Sequence, residues 1–503
     1  MANKKNIAAP AALVASPDLT SPFSWRDEAF EPFLERLQGN ILKGHGREHT
    51  NNIFFRFAAG KTDEARAAVK LIATQFVTSA LKQLKQTEMF KRAKDAGREP
   101  KSDPFVSIVF SRTGYPALGA AASLPPDPNF RAGMRASASL NDPAPVDWDE
   151  GFQVEPDGMI LVAADSPEEV EELSDRIFAL TSEAIEVTHR QLGKAVRNAT
   201  GEGIEHFGYV DGRSQPLFLI EDIAVEQTIG GTIMWDPAFS PARVVVHDPG
   251  AAADGHAFGS YFIFRKLEER VRAFKTAEQR LANDLGLKGD ERERAGALCV
   301  GRFEDGTPAT LSKDAVSPAS GRVPNDFNYD HDDLAGKCPY HGHIRKSNPR
   351  GSALGNSTER LTIMARRGIT YEDVPREVHP DDLPEAKDFA EFQAKVAPLL
   401  PEGDLGLLFM AYNVDIDQQF ETTQRSWVNS ATFPPPKAGS GVAAPGTDPV
   451  IGQPAAGTVG QKWPEDWVAG AAPLSNPIDF RGHVILKGGD YFFAPSLTFL
   501  KSL

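Results

Sequence analysis

Cysteine is nearly absent from this chain: Cys299 and Cys338 are the only two among 503 residues. Two cysteines cannot build a disulfide framework, and such scarcity is compatible with a reducing compartment. Long apolar runs are missing as well. The strongest, Leu405 to Tyr412, is strand-sized and falls far short of a membrane span. Positive charge is the minority sign, with 54 Lys+Arg against 69 Asp+Glu and a net charge of −15. Without a basic stripe, nucleic acid is not an expected partner. An acidic surface would attract cationic substrates or metal ions weakly through salt, and otherwise serves solubility. The N-terminus, Met1-Ala2-Asn3-Lys4-Lys5-Asn6-Ile7, has neither a twin-arginine pair nor a sustained apolar stretch after its lysines. It does not read as a signal peptide, so the expected location is cytoplasmic, with secretion by another route left open.

What is present is an ordinary globular composition, 41% hydrophobic and 24% charged, on a chain longer than one compact core usually needs. Two domains, or one duplicated domain with insertions, are expected. Residues 1–29 begin with an Ala/Pro/Ser-rich stretch and are predicted to be a flexible arm, with structure starting near Phe30. Beyond them a strand at Ile53–Phe57 leads into a helical pattern from Thr62 to about Arg92, then strands at Phe105–Phe110 and Met159–Val162. Ser166-Pro167-Glu168-Glu169 then has the form of a capping box with proline at the first helical position. The scheme recurs later as strand Ser260–Arg265, helix Leu267–Leu285, strand Leu407–Tyr412 and helix Asp415–Val428. Strands and helices segregated in this way predict α+β layers. Two long insertions, Thr113–Gln153 and Phe433–Trp467, have the composition of lids, interface arms or linkers.

Two distant segments carry the chemistry: Phe207-Gly208-Tyr209-Val210-Asp211-Gly212-Arg213-Ser214-Gln215-Pro216, and His343-Ile344-Arg345-Lys346-Ser347-Asn348-Pro349-Arg350. A third, Leu361 to Tyr371, contains Arg366-Arg367-Gly368-Ile369-Thr370-Tyr371. In this order they resemble the haem signature of the dye-decolourising peroxidases, with Thr370 where that family commonly has proline. The resemblance runs over most of the chain from about residue 38, through Gln38–Gly46, Gly259–Leu267, Asn413–Asn429 and Tyr491–Leu497.

That resemblance implies two ferredoxin-like halves, residues 30–215 ending in the Asp211 loop and residues 216–503, the second holding haem b. With no Cys-x-x-Cys-His segment, the haem would be held by axial ligation and packing, one per chain. The chemistry asks for a basic iron ligand, an acid–base group and a cation. The resemblance assigns these to His343, Asp211 and Arg366. It further implies Leu407 and Phe409 as an apolar wall over the haem, Asp448 as hydrogen-bond partner of the ligand histidine, and Arg345 as a propionate contact. Arg367 is expected to reach the surface or a propionate. Trp427 and Tyr371 are candidate radical relays for substrates too bulky to enter, although ordinary packing is the better account of both. Hydrogen peroxide and organic reducing substrates such as dyes and phenolics are the implied partners, an acidic optimum is expected, and a homo-oligomer is compatible with the chain.

Rival readings remain at this level. A haem-binding or iron-handling protein would show haem binding without turnover. His341 competes with His343 as ligand, but lacks the His-Ile-Arg continuation. A zinc site from Cys338, His341 and His343 matches no common zinc spacing. Glu268, Glu269 and Glu278 are candidates for a manganese site, and equally for the solvated face of a charged helix.

Overall fold

The computed structural model describes residues 16–316, 323, 325–453 and 460–503. Eight principal strands form one antiparallel sheet in which the ferredoxin-like order appears twice. In the first half, β1 (His49–Phe57), β2 (Phe105–Phe110), β3 (Gly158–Ala164) and β4 (Ile185–Lys194) lie in the order β2-β3-β1-β4. In the second half the strands are β5 (Phe258–Glu269), β6 (Ala365–Arg366), β7 (Ile369–Glu372), β8 (Leu405–Asn413) and β9 (Val484–Ala494). The order there is β7-β8-β5-β9, with the two-residue β6 also pairing with β8. The halves do not keep separate sheets. β9 joins β2 at Phe493↔Phe110, and at the other end the Thr370 hydroxyl of β7 donates to the Lys194 carbonyl of β4. Gln191 Nε2 also donates to Asp373 Oδ1 across that seam at 2.9 Å. The sheet therefore rolls into a barrel-like body filled by aromatic side chains, such as Phe54 against Phe264 with ring centroids 4.9 Å apart.

Helices cover the outside: α1 (Thr62–Gln75), α2 (Ala80–Asp95), α3 (Pro167–Thr181), α4 (Val271–Asp284) and α5 (Glu293–Val300). The single helix expected from Thr62 to Arg92 is broken. Thr78 instead donates its N–H to Val106 O of β2, and Ser79 caps the next helix by accepting from Lys82 N. At α3 the Ser166 hydroxyl accepts from Glu169 N at 3.2 Å as the capping box predicts, while the Glu169 carboxylate pairs with Lys101. β5 runs to Glu269, so the helix expected from Leu267 starts at Val271. The helix α7 (Asp417–Val428) is wound with i→i+5 bonds, among them Glu421 N to Ile416 O and Asn429 N to Gln424 O. Such widened turns recur at functional sites, and Phe420, Thr423 and Gln424 of this helix face the central cavity.

Order begins before Phe30, which corrects part of the predicted arm. Leu19 and Phe23 are buried; Leu19 O accepts from Ala242 N, and Phe23 bridges to Leu219. The burial of these two apolar side chains and the backbone bonds from Ala242 and Ile220 hold the segment against the body. Residues 1–15 of that arm lie outside the described residues. The Thr113–Gln153 insertion is folded against the sheet, where Asp142 makes a two-pronged ion pair with Arg265 at 2.6 and 2.7 Å. No helix among the described residues is long and apolar enough to cross a membrane.

Candidate active site

One large cavity, about 1740 Å³ of empty space with its mouth included, lies against the second half of the sheet. Asp211, His343, Arg366, Leu407 and Phe409 all border it. Leu407 and Phe409 are alternate residues of β8, so they share the cavity face, while Leu408 and Met410 between and beyond them are fully buried on the other face.

The Asp211 loop is shaped by its own backbone. Ile204 and Val210 bridge, and Asp211 N donates to Gly203 O at 3.0 Å. Gly208 and Gly212 have φ of +104° and +81°, a region that side chains disfavour, so the glycines permit the sharp turn that presents Asp211. Arg366 Nη1 lies 3.7 Å from Asp211 Oδ1, and its Nη2 donates to Arg213 O at 2.8 Å. The carboxylate and guanidinium thus form one aimed pair.

His343 begins the short helix α6 (His343–Ser347), and its Nδ1 lies 2.8 Å from Asp448 Oδ2. Asp448 is fully buried, and its Oδ1 accepts from Val450 N and Ile451 N at 2.8 and 2.9 Å. Burial alone would raise the Asp448 carboxyl, but the ring and the two amides outweigh it and hold it below its ordinary value. Burial likewise works to lower His343, and the charge and hydrogen bond of Asp448 overcome it, leaving the ring raised. With Nδ1 committed, Nε2 is the nitrogen left for a metal. Lys346, one turn along, donates to the carbonyls of Ser430, Phe433 and Gly446, pinning the strand of loop that delivers Asp448. Burial pushes the Lys346 amine down to about 7.

Other predicted residues lie elsewhere. Arg345 does not border the cavity, which corrects the propionate assignment. Its guanidinium is fully buried, bonded to Asp332 and to Cys338 O, and stacked between Tyr329 and Tyr340 at 4.5 and 4.6 Å. Arg345→Met is therefore expected to cost about 3–5 kcal/mol of stability by stranding Asp332, measured as a lowered denaturant midpoint. Cofactor content per folded molecule should stay unchanged; a fall in it would restore a contact with the bound group. Arg367 also faces away, donating to Asn40 O and Ile41 O. Trp427 and Tyr371 are 2% and 1% exposed, so neither offers its ring to a bulky substrate. Trp427 stacks on Phe433 at 4.8 Å. His341 packs edge-on to Trp463, and burial lowers it to about 3. Glu278 pairs with Lys275, Glu268 with Arg270 and Lys487, and Glu269 borders the cavity, so the three do not converge. No group of three or more His, Cys, Asp or Glu side chains is arranged for a metal ion among the described residues.

Sequence reasoning missed a cationic wall. Arg213 and Arg302 border the cavity beside Arg366, and the buried Nε of Arg213 has no hydrogen-bond partner among the described residues. Arg302 donates to Gly306 O and Asn325 Oδ1, and burial pushes it down to about 10. Behind it Arg350 donates to Ser214 Oγ and Asn325 Oδ1, each at 2.7 Å. Arg213 was visible within its segment; Arg302 carried no local signal. A flat, largely apolar group with acidic side arms and a metal centre fits these surroundings. Apolar walls would meet its faces, a histidine with one committed nitrogen would meet the metal, and an orphaned arginine donor would meet an anion.

Comparison with known proteins agrees with this geometry. The family model described as the DyP dimeric alpha+beta barrel domain matches residues 36–197. Multifunctional dye peroxidase DyP2 of an Amycolatopsis species is 43% identical over 497 residues, covering 97% of this chain and 99% of that protein. Dye-decolorizing peroxidase msp1 of Mycetinis scorodonius is 29% identical, covering 93% and 87%. Among solved structures, DyP2 from Amycolatopsis aligns with a TM-score of 0.88 at 41% identity, covering 97% of this chain and all of that one. The DyP-type peroxidase of Anabaena aligns at 0.83 and 33% identity, covering 97% and 98%. Fold, site and likeness together define an oxidoreductase of the peroxidase class. The chain belongs to the dye-decolourising peroxidase family.

Proposed function

We propose that the enzyme works with haem b, one per chain and without a covalent link, and that its donors include phenolics and other bulky one-electron reductants as well as dyes. The observation that carries this reading is the pair of pairs on one cavity: His343 with Asp448, and Asp211 with Arg366. His343 Nε2 would hold the iron, and Asp448 keeps the proton on Nδ1, which fixes the ring and makes Nε2 a stronger donor. Haem, when bound, would supply an iron centre that stores the two oxidising equivalents of peroxide and passes them one at a time to the donor.

The chain's own residues handle the proton and the charge. The Asp211 carboxylate would take the proton from one peroxide oxygen and return it to the other, which leaves as water. Arg366, 3.7 Å from that carboxylate, places its positive charge where negative charge gathers on the departing oxygen. Leu407 and Phe409 keep bulk water from the reacting oxygens, and Arg213 and Arg302 offer donors to acidic side arms. The carboxylate gives back the proton it takes, so one residue suffices for both transfers.

Titrating purified protein with haemin while following absorbance, then adding peroxide and an anthraquinone dye, tests the proposal. Stoichiometric binding followed by peroxide-dependent bleaching is expected; binding without bleaching would favour a haem-handling role. Asp448→Asn should weaken haem retention about 10- to 100-fold in the same titration. An unchanged titration would remove Asp448 from the ligand's support.

A further inference from the structure

Two carboxyl groups on the cavity wall have no part in the roles above. Glu205 opens the loop that ends at Asp211, and Glu269 ends β5; both border the cavity. Glu205 shapes the loop directly, its two oxygens accepting from Phe207 N at 2.6 Å and Tyr209 N at 2.8 Å. Glu269 Oε2 accepts from His206 N at 3.0 Å, so the consecutive amides of His206 and Phe207 are taken by oxygens of the two glutamates, which brings the carboxyls side by side on the cavity wall. A carboxylate only accepts, so a hydrogen bond between two carboxyls requires a proton on one of them.

We propose that Glu205 and Glu269 share one proton, and that this proton fastens the Asp211 loop to the rigid end of β5. The inference rests on the peroxidase reading only in giving Asp211 its role. Burial and the pair's own like charges favour retaining the proton, against the opposing charge of Lys275. Asp211, in the loop, adds negative charge of the same sign. Lys275 of α4 is committed to Glu278 and Glu304, and Arg376 donates to His206 O and Val378 O rather than to either glutamate. The His206 ring, lowered by burial to about 4, is neutral, and Tyr371 is held protonated by burial. Burial first, and then the neighbouring carboxyl, raises Glu269; burial likewise raises Glu205. Losing the shared proton places two negative charges side by side, one on the loop and one on the strand. Repulsion then separates loop from strand, and Asp211 moves with the loop.

The sign for stability follows from proton counting. The unfolded chain releases these protons near the ordinary glutamate value of about 4.3, whereas the folded pair keeps one to higher pH. Folding therefore takes up a proton across that window, and stability falls as pH rises through it. Glu269→Gln imitates the protonated form: its amide donates to Glu205 and its carbonyl accepts from His206 N.

The test uses holoenzyme. Infrared spectra of the wild type at neutral pH should contain the carbonyl band of a protonated carboxylic acid that is lost in Glu269→Gln. The alkaline fall of kcat/KM for peroxide should move up by about one pH unit or more in the variant, a tenfold change in the governing proton affinity. Thermal unfolding should show the variant losing less stability than the wild type between acidic and alkaline pH. Absence of a carboxyl band that depends on Glu269, or an alkaline fall identical in both proteins, would overturn the proposal. Should Glu269→Gln fail to fold, Glu205→Gln carries the same infrared test. Failure of the peroxidase reading would leave the band in place with no turnover to compare, so the two failures are distinguishable.

Discussion

Asp211→Asn is expected to slow the reaction with peroxide by roughly 10²- to 10⁴-fold, the usual worth of a positioned acid–base group, while haem content stays at the wild-type level. The reasoning is geometric. Asparagine keeps the size of the side chain, and the loop depends on Gly208, Gly212 and backbone bonds rather than on the Asp211 carboxylate. What disappears is the group proposed to receive the proton and give it back. Arg366 then stands beside a neutral amide in place of the carboxylate 3.7 Å away. Stopped-flow mixing of the variant with peroxide measures the effect. Wild-type peroxide kinetics in that variant would transfer the burden of peroxide cleavage to Arg366.

His343→Ala should abolish stable haem retention, and with it peroxide-dependent dye oxidation. Among the described residues, no second histidine borders the cavity. His341, two residues earlier, is locked edge-on against Trp463 and cannot substitute without dismantling that packing. Removing the ring also leaves the fully buried Asp448 without its imidazole partner, though still held by Val450 N and Ile451 N. Haem content after desalting, read from the absorbance ratio of haem to protein, reports the loss. A variant that keeps a normal haem spectrum would refute the ligand assignment, and external imidazole that restores binding would support it.

How much could be read from the chain depended on how local each relationship is. Asp211, His343 and Arg366 sit in short segments whose neighbours set their geometry, so a linear pattern carries them to one cavity. Arg345 was misassigned because it stands two residues from His343 on a helix, where such neighbours point to nearly opposite sides. The strand β7 is only four residues long and left no periodic signal. The break between α1 and α2 arises from bonds to β2, which no helical count can register. The merging of the two halves depends likewise on contacts between distant edges, such as Phe493 with Phe110. Glu205 and Glu269 belong to different halves of the pattern, and only the folded chain places their carboxyls together.

The bond from Arg350 to Ser214 ties the two signature segments to each other across 136 residues of sequence. Arg302 reaches the same Asn325 oxygen that Arg350 holds, so the loop bearing Asp211 is braced by the segment bearing His343. For anyone grafting this chemistry onto another scaffold, the Asp211 loop alone is not a transplantable part. The smallest portable unit is both segments with Arg302 and Asn325 between them, together with Arg366 and Asp448, and a circular permutant must leave that brace uncut.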